Sequence, residues 1–361
     1  MYKKCSQAWW WQFVDLLKPA EDARALRFGD LVHRSLALYY KRGSKRGPHP
    51  AKTFKKLYLH EVEQLKKDRL NMRDEERWLD AEELGPAMLE GYVDMYGEND
   101  KQFVVLSSEQ VFQRPLATRL PDGSKLVFYI VGTLDGLWAE GRSLKVHGDP
   151  FFKEFKTATT IDFSGLPMDE QAGTYWTYAP KWLARMKLMP PGADPTHILY
   201  TFLRKAMPDL RAENELGQKL NLPTKDELLE YYKEAGRNLP QVRTMEALKE
   251  DLGVEVWPFL GSPSKKQPSA LFDRQPIYRD QADKENMHMR VCDEAVQMEL
   301  TRRGFLKPIK NPGPLYMPNC KFCFARDMCE LHETGADWEA MRDATMVKWD
   351  PYDSHEIVER W

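Results

Sequence analysis

The chain has no apolar run approaching the roughly 18 residues that a membrane-spanning helix needs. Its start, Met1-Tyr2-Lys3-Lys4-Cys5, meets polar residues before any signal-like apolar stretch develops, so the expectation is a soluble, cytoplasmic protein. Excess charge of either sign is also missing. Fifty-three Lys and Arg stand against 55 Asp and Glu, for a net charge of -2. That balance excludes a generally basic coat, and any nucleic-acid contact would have to use local patches. One such patch is Lys41-Arg42-Gly43-Ser44-Lys45-Arg46 with Lys52, Lys55 and Lys56, which reads equally well as a solvated loop. There is no Gly-rich loop ending in Gly-Lys-Ser/Thr, so unwinding driven by nucleotide hydrolysis would have to come from a partner. Internal repeats and low-complexity tracts are absent. Cysteine is scarce: five among 361 residues. In a reducing compartment so few thiols do not suggest a disulfide framework, and metal or cluster binding becomes the sharper reading.

What is present is a core-forming composition, 42% hydrophobic with eleven tryptophans. Residues 5–17 read as a short aromatic helix stopped near Pro19, and LVHRSLALYY as a packed helix carrying His33. Residues 53–97 look mainly helical, with charges dense around 65–83. From about 103 the character turns to β. FVVLSSEQVFQ and KLVFYIVGTLDGLW flank the turn signal Pro121-Asp122-Gly123, predicting a hairpin. A third strand is expected at about 150–157, after a turn at Gly148-Asp149-Pro150. A helix at about 168–187 and a strand HILYTFL follow. Thr224 with Glu227 fits a capping box. Residues 258–277 read as loop and 280–302 as a polar helix. Strand, strand, strand, helix, strand describes a mixed α/β core.

Within this frame Asp135 lies near the end of an apolar strand, where a carboxylate is costly to desolvate without a cation or strong hydrogen bonds. Glu154-Phe155-Lys156 follows on the next strand. Alternation puts Glu154 and Lys156 on one face and Phe155 on the other. Hard carboxylate oxygens suit magnesium or manganese. Phosphodiester hydrolysis needs a metal to activate water and stabilise charge, and a neighbouring lysine can orient the water or neutralise developing charge. An isolated Glu-x-Lys on a strand is usually a solvated ion pair, so the reading depends on its company. Lys153, directly before Glu154, suggests a rather open strand.

That company resembles a known family. Gly132-Thr133-Leu134-Asp135-Gly136 followed by Glu154-Phe155-Lys156-Thr157 looks like the D…(D/E)-x-K core of the PD-(D/E)xK nuclease superfamily. Gly29-Asp30-Leu31-Val32-His33 resembles the upstream Gly…His motif of its RecB-like branch. Gln171-Ala172-Gly173-Thr174-Tyr175 matches the downstream Q-x-x-x-Y motif. The resemblance implies that His33, Asp135, Glu154 and the Phe155 carbonyl bind the metal. It implies further that Lys156 serves the attacking water, and that Gln171 and Tyr175 stand beside the active site on one helix face.

Cys320-x2-Cys323-x5-Cys329 supplies three thiols from one short stretch, and Cys5 could complete a set if the chain ends meet. Four cysteines suit zinc or an iron–sulfur cluster. One N-terminal and three C-terminal cysteines resemble the [4Fe-4S] staple of AddB-type and CRISPR-associated RecB-like exonucleases, which makes the cluster the leading reading and zinc the lesser one. Cys292 reads as a packing residue. Trp9, Trp10 and Trp11 read as core rather than as a stacking platform for bases. Arg204 and Lys205 are equally open to a phosphate or a surface role, and turn chemistry accounts for His147 and Asp149.

The resulting expectation is a restriction-endonuclease-like α/β core, a mixed central sheet flanked by helices, with a helical accessory region and cluster-binding termini. Its parts are an N-terminal helix supplying a cysteine (1–27), the nuclease core (28–205), the accessory region (206–290), the cysteine region (291–335) and a tail (336–361). The resemblance implies a metal-dependent exonuclease acting at ends of single-stranded DNA, in recombination, repair or phage DNA processing, with a helicase or recombination protein as a possible partner. The alternatives are an endonuclease of the same fold and a non-catalytic DNA-binding or assembly subunit.

Overall fold

The computed structural model describes residues 1–20, 27–67, 72–314 and 319–351; the side chains of 65–78 and the last ten residues of the tail lie outside it. The expected charge cluster at 65–83 therefore falls largely outside the described residues.

Helices α2 (Arg27–Tyr39), α3 (Pro50–Lys67) and α4 (Met72–Tyr96) come before the sheet, after a short α1 (Ser6–Trp9) and a three-residue β1 (Leu17–Pro19). The sheet itself is β2 (Phe103–Arg119), β3 (Lys125–Ser143), β4 (Val146–Ala158), β5 (Ile198–Arg204) and β6 (Phe272–Ile277), in that spatial order. β4 and β5 run parallel, and every other pair is antiparallel. A parallel pair needs a long crossover. Here α5 (Glu170–Arg185) provides it. One core layer packs α2–α4 on the sheet through Phe54, Tyr92, Trp138 and Phe155. The other packs α5 through Tyr175, Trp176 and Tyr178 against Phe112, Leu134 and Phe152, with α8 (Gln281–Arg302) touching it at Val291. A mixed sheet between two helical layers is the expected fold class.

The expected hairpin is present, as are the helix and strand expected after the third strand, and Thr224 and Glu227 form the capping box that opens α6 (Lys225–Glu234). α6 and α7 (Met245–Leu252) share a small core of their own, Leu228, Tyr232, Leu248 and Leu252. The structure departs from expectation at four places. The turn expected at Gly148-Asp149-Pro150 is strand; the chain turns at residues 144–145 instead. Pro150 is tolerated because β5 begins pairing only at Phe152, so no β5 ladder bond needs its nitrogen. The stretch 258–277 is not all loop, because β6 closes the edge of the core sheet. Pro276 fits there, where one side of the strand has no ladder to supply. The helix expected at 5–17 ends early: α1 passes into a π-turn at Trp10–Val14, and β1 pairs with β7 (Met346–Lys348). Trp11, Leu17, Ala325 and Met328 pack together between the ends of the chain, with α9 (Arg326–Thr334) and α10 (Trp338–Thr345) alongside. Trp9 and Trp11 are buried, as their core reading expects.

The fourth departure is Lys153. Its strand is not open, and the residue is 1% exposed. Its ammonium hydrogen-bonds the Thr201 hydroxyl and lies over the rings of Trp138 and Phe155. Burial and the charge of Arg274 drive it well below the usual lysine range, against the pull of Asp100, Asp135 and Glu154. Alternation explains the placement. With Glu154 and Lys156 on the α5 face, Lys153 and Phe155 must face α2–α4.

Candidate active site

The site forms at a fork in the sheet. The β3–β4 ladder runs as far as Gly136 against Lys153 and then ends. The outer part of β3 stays with β2, while β4 continues beside β5 to Ala158. Asp135 and Glu154 are the first residues past the parting.

Asp135 holds the fork together. Its Oδ2 accepts the Phe155 amide at 2.7 Å, and its Oδ1 lies 3.2 Å from His33 Nδ1. His33 comes from α2, which approaches β4 closely at Gly29: a Cβ there would stand 3.3 Å from Thr157 Oγ1. Burial works against the imidazolium, yet the hydrogen bond and charge of Asp135, with Glu109 and Glu154, lift His33 to about 9.

Glu109 was not anticipated from the sequence. Ser108 pairs with Gly136 and Gln110 with Leu134, which sets Glu109 opposite Asp135 on the neighbouring strand. Its backbone is left-handed, at φ 45°. Ligand atoms of His33, Glu109 and Asp135 all lie within 4.8 Å of one another. Glu109 keeps solvent contact, but crowding by protein atoms and the charge of Asp135 push its carboxyl up to about 7. A carboxylate across the ladder from Asp135 was the available signal, and only a register for β2 and β3 would have exposed it.

Glu154 is buried, and desolvation together with Asp135 raises it to about 8 against the pull of Lys156. Lys156 Nζ stands 2.7 Å from Glu154 Oε1 and donates to Gln171 Oε1 at 2.8 Å. Gln171 Nε2 donates to the Tyr175 hydroxyl at 2.8 Å, so both members of the helix motif join one chain of hydrogen bonds. Desolvation opposes the Lys156 cation, but Glu154 more than compensates and its pKa is raised. Asp169 fixes the start of α5: its Oδ1 accepts the amides of Gln171 and Ala172, and its Oδ2 accepts the Tyr200 hydroxyl. Gly132 lets the helix come in, since a Cβ there would meet the Tyr175 ring at 2.7 Å and Phe112 at 3.0 Å.

Cys5, Cys320, Cys323 and Cys329 line a single cavity of about 390 Å³, together with Trp11, Lys310 and Arg326. Burial raises Cys323 and Cys329, and each feels the neighbouring thiols. Cys292 is buried on α8 beside His288. Other marked residues take structural parts. Arg46 donates to the carbonyls of Asp100 and Phe103, and Arg204 to that of Ser269.

A mixed sheet whose strands part around three carboxylates, an imidazole and a lysine defines the class as a nuclease. The chain belongs to the PD-(D/E)XK nuclease superfamily, whose family model matches residues 1–330. No curated protein matches the chain.

Proposed function

We propose that the protein is a divalent-metal-dependent DNA exonuclease that hydrolyses phosphodiester bonds at the ends of single strands. The observation that carries this reading is the clustering of His33, Glu109 and Asp135 within 4.8 Å, one strand away from the Glu154–Lys156 pair. The donor set fits Mg²⁺ or Mn²⁺: hard oxygens dominate, and desolvation together with the charge of Asp135 raises the carboxyls of Glu109 and Glu154. His33, Asp135, Glu154 and the Phe155 carbonyl would hold the ion. Phe155 directs its amide at Asp135. In an extended strand the carbonyl of the same residue points to the same edge, here into the fork. Glu109 adds a carboxylate to that set. When bound, the metal supplies a polarised phosphate and an acidified water.

The residues of the chain do the rest. Lys156, a cation at neutral pH, cannot take a proton from water. Held between Glu154 and Gln171, it orients the attacking water by donating to it and offsets charge on the phosphate. Tyr175 fixes Gln171, and Asp169 fixes the helix that carries both. The cysteine-lined cavity suits a [4Fe-4S] cluster, which would tie Cys5 to the C-terminal hairpin of helices and stabilise the chain ends structurally.

End-labelled linear and circular strands, incubated with anaerobically purified protein and Mg²⁺ or Mn²⁺, test the activity. Release of short products from linear single strands alone is expected. Circles cut as readily as linear strands would establish an endonuclease, and no metal-dependent cleavage would establish a binding or assembly subunit. Iron and acid-labile sulfide analysis tests the cluster; colourless protein with stoichiometric zinc and no iron would replace it with a zinc site.

A further inference from the structure

One face of the outer β2–β3 hairpin belongs to the core, and the other has no part in the core or in the metal-binding set. Beyond the fork its register runs Val111 against Thr133, Gln113 against Val131, Pro115 against Tyr129, Ala117 against Val127 and Arg119 against Lys125, with no shift in this stretch. Its even-numbered residues Phe112, Leu116, Phe128 and Ile130 pack toward α5. The odd-numbered ones therefore face the other way, on the same side as Glu109 and Asp135.

That face is open and chemically one-sided. Tyr129 is 59% exposed and Val127 52% exposed. None of the ten paired residues is acidic, and the far end carries Arg119 and Lys125. Asp122, in the turn, is occupied by the amide and hydroxyl of Ser124. Exposed aromatic and apolar side chains in a row signal an interaction site. β2 is the sheet's edge strand, but Pro115 removes one amide from it, which discourages pairing with a second copy.

We propose that this face is the track on which the single-stranded DNA lies as it runs to the active site. The inference rests on the nuclease reading and extends it to the strand's path. Tyr129 lies six residues from Asp135 along β3, about 20 Å in extended chain. A few nucleotides span that length. An unpaired base stacks on the Tyr129 ring, while Arg119 and Lys125 hold phosphates, with no carboxylate on the track to repel them. A duplex offers no free base face to the ring, so the track selects single strands.

Binding of a fluorescent single-stranded oligonucleotide in Ca²⁺, followed by anisotropy across a salt series, tests this. Tyr129→Ala should weaken binding about 10-fold, and Tyr129→Phe should restore it. Arg119→Ala with Lys125→Ala should make the slope of log affinity against log salt shallower by about 1.4. All three variants should cleave a small chromogenic phosphodiester at the wild-type rate, since none touches the metal set. Wild-type oligonucleotide affinity in Tyr129→Ala and in the double variant, with small-diester cleavage intact, overturns the track and leaves the nuclease standing. A loss confined to duplex binding, or loss of a dimer with strand binding unchanged, overturns it too. Wild-type protein that neither cleaves the small diester nor binds the oligonucleotide removes the nuclease reading and the track together.

Discussion

Asp135 bonds across the point where β3 and β4 part, its Oδ2 accepting the Phe155 amide at 2.7 Å while its Oδ1 faces His33 at 3.2 Å. One carboxylate thus fixes the backbone of β4 and orients an imidazole from a helix 102 residues away in sequence. A group so committed tolerates little change. Asp135→Asn keeps a hydrogen-bond acceptor for Phe155 but removes the charge. Circular dichroism and melting should show a folded protein, and metal-dependent cleavage should fall by about 10²-fold or more. Activity within a few-fold of wild type would remove Asp135 from the metal set.

Lys156 and Gln171 should separate in size of effect. Lys156→Ala removes the cation that the proposed mechanism sets beside the phosphate and should lower kcat by about 10²–10³-fold. Gln171→Ala leaves the cation but frees its head group, and about 10-fold is expected. Single-turnover rates at saturating metal make the comparison. Equal losses would mean that Gln171 contacts the reacting groups itself.

Metal binding should tighten as pH rises from about 6 to 9. His33 is held near 9, Glu154 near 8 and Glu109 near 7, so protons compete with the ion throughout that range. Without metal the same groups act on stability in the other direction. Each has a folded-state pKa above its ordinary value, so the native state binds more protons than the unfolded one. The metal-free protein therefore loses stability as pH climbs from about 4.5 toward 9. Mn²⁺ titration calorimetry in buffers of different ionisation heat should record proton release. An affinity independent of pH would contradict the grouping.

Gly132→Ala is expected to destabilise by about 1–3 kcal/mol, because the new methyl meets the Tyr175 ring at 2.7 Å and α5 must shift. Since Tyr175 carries Gln171, catalysis should fall along with the melting temperature. An unchanged melting temperature would show that the helix packs less closely than this contact requires.

Beneath the sheet, Arg274 donates twice to the fully buried Asp100, at 2.6 and 2.7 Å, and once to the Tyr92 hydroxyl. Desolvation works against the Asp100 carboxylate, but Arg274 holds it below the usual range. Arg274→Met would leave that carboxylate buried without its partner, at a cost of about 3–5 kcal/mol. Urea unfolding reads the loss. Replacing Asp100 as well, as Asp100→Asn with Arg274→Met, should recover part of it.

Periodicity made the local pieces of this protein legible. Alternation places Glu154 and Lys156 on one face, the four-residue step from Gln171 to Tyr175 places both on one side of α5, and Thr224 with Glu227 announces a helix start. These depend on residues near one another in the chain, where backbone geometry leaves few options. Other features depend on which segments become neighbours, and no local pattern carries that. Glu109 became a member of the site only because β2 pairs with β3 in a register that sets it across from Asp135. In sequence Lys153 reads as exposed, and it is buried only because β3 and β5 flank its strand and Thr201, Trp138 and Phe155 enclose it. Phe272–Ile277 looked like loop because its composition is poor for a strand, and β5 supplies the ladder that overrides it. The order of the acids, the histidine and the lysine was written in the sequence; their convergence required a sheet whose strands part between Asp135 and Glu154, a property of long-range pairing alone.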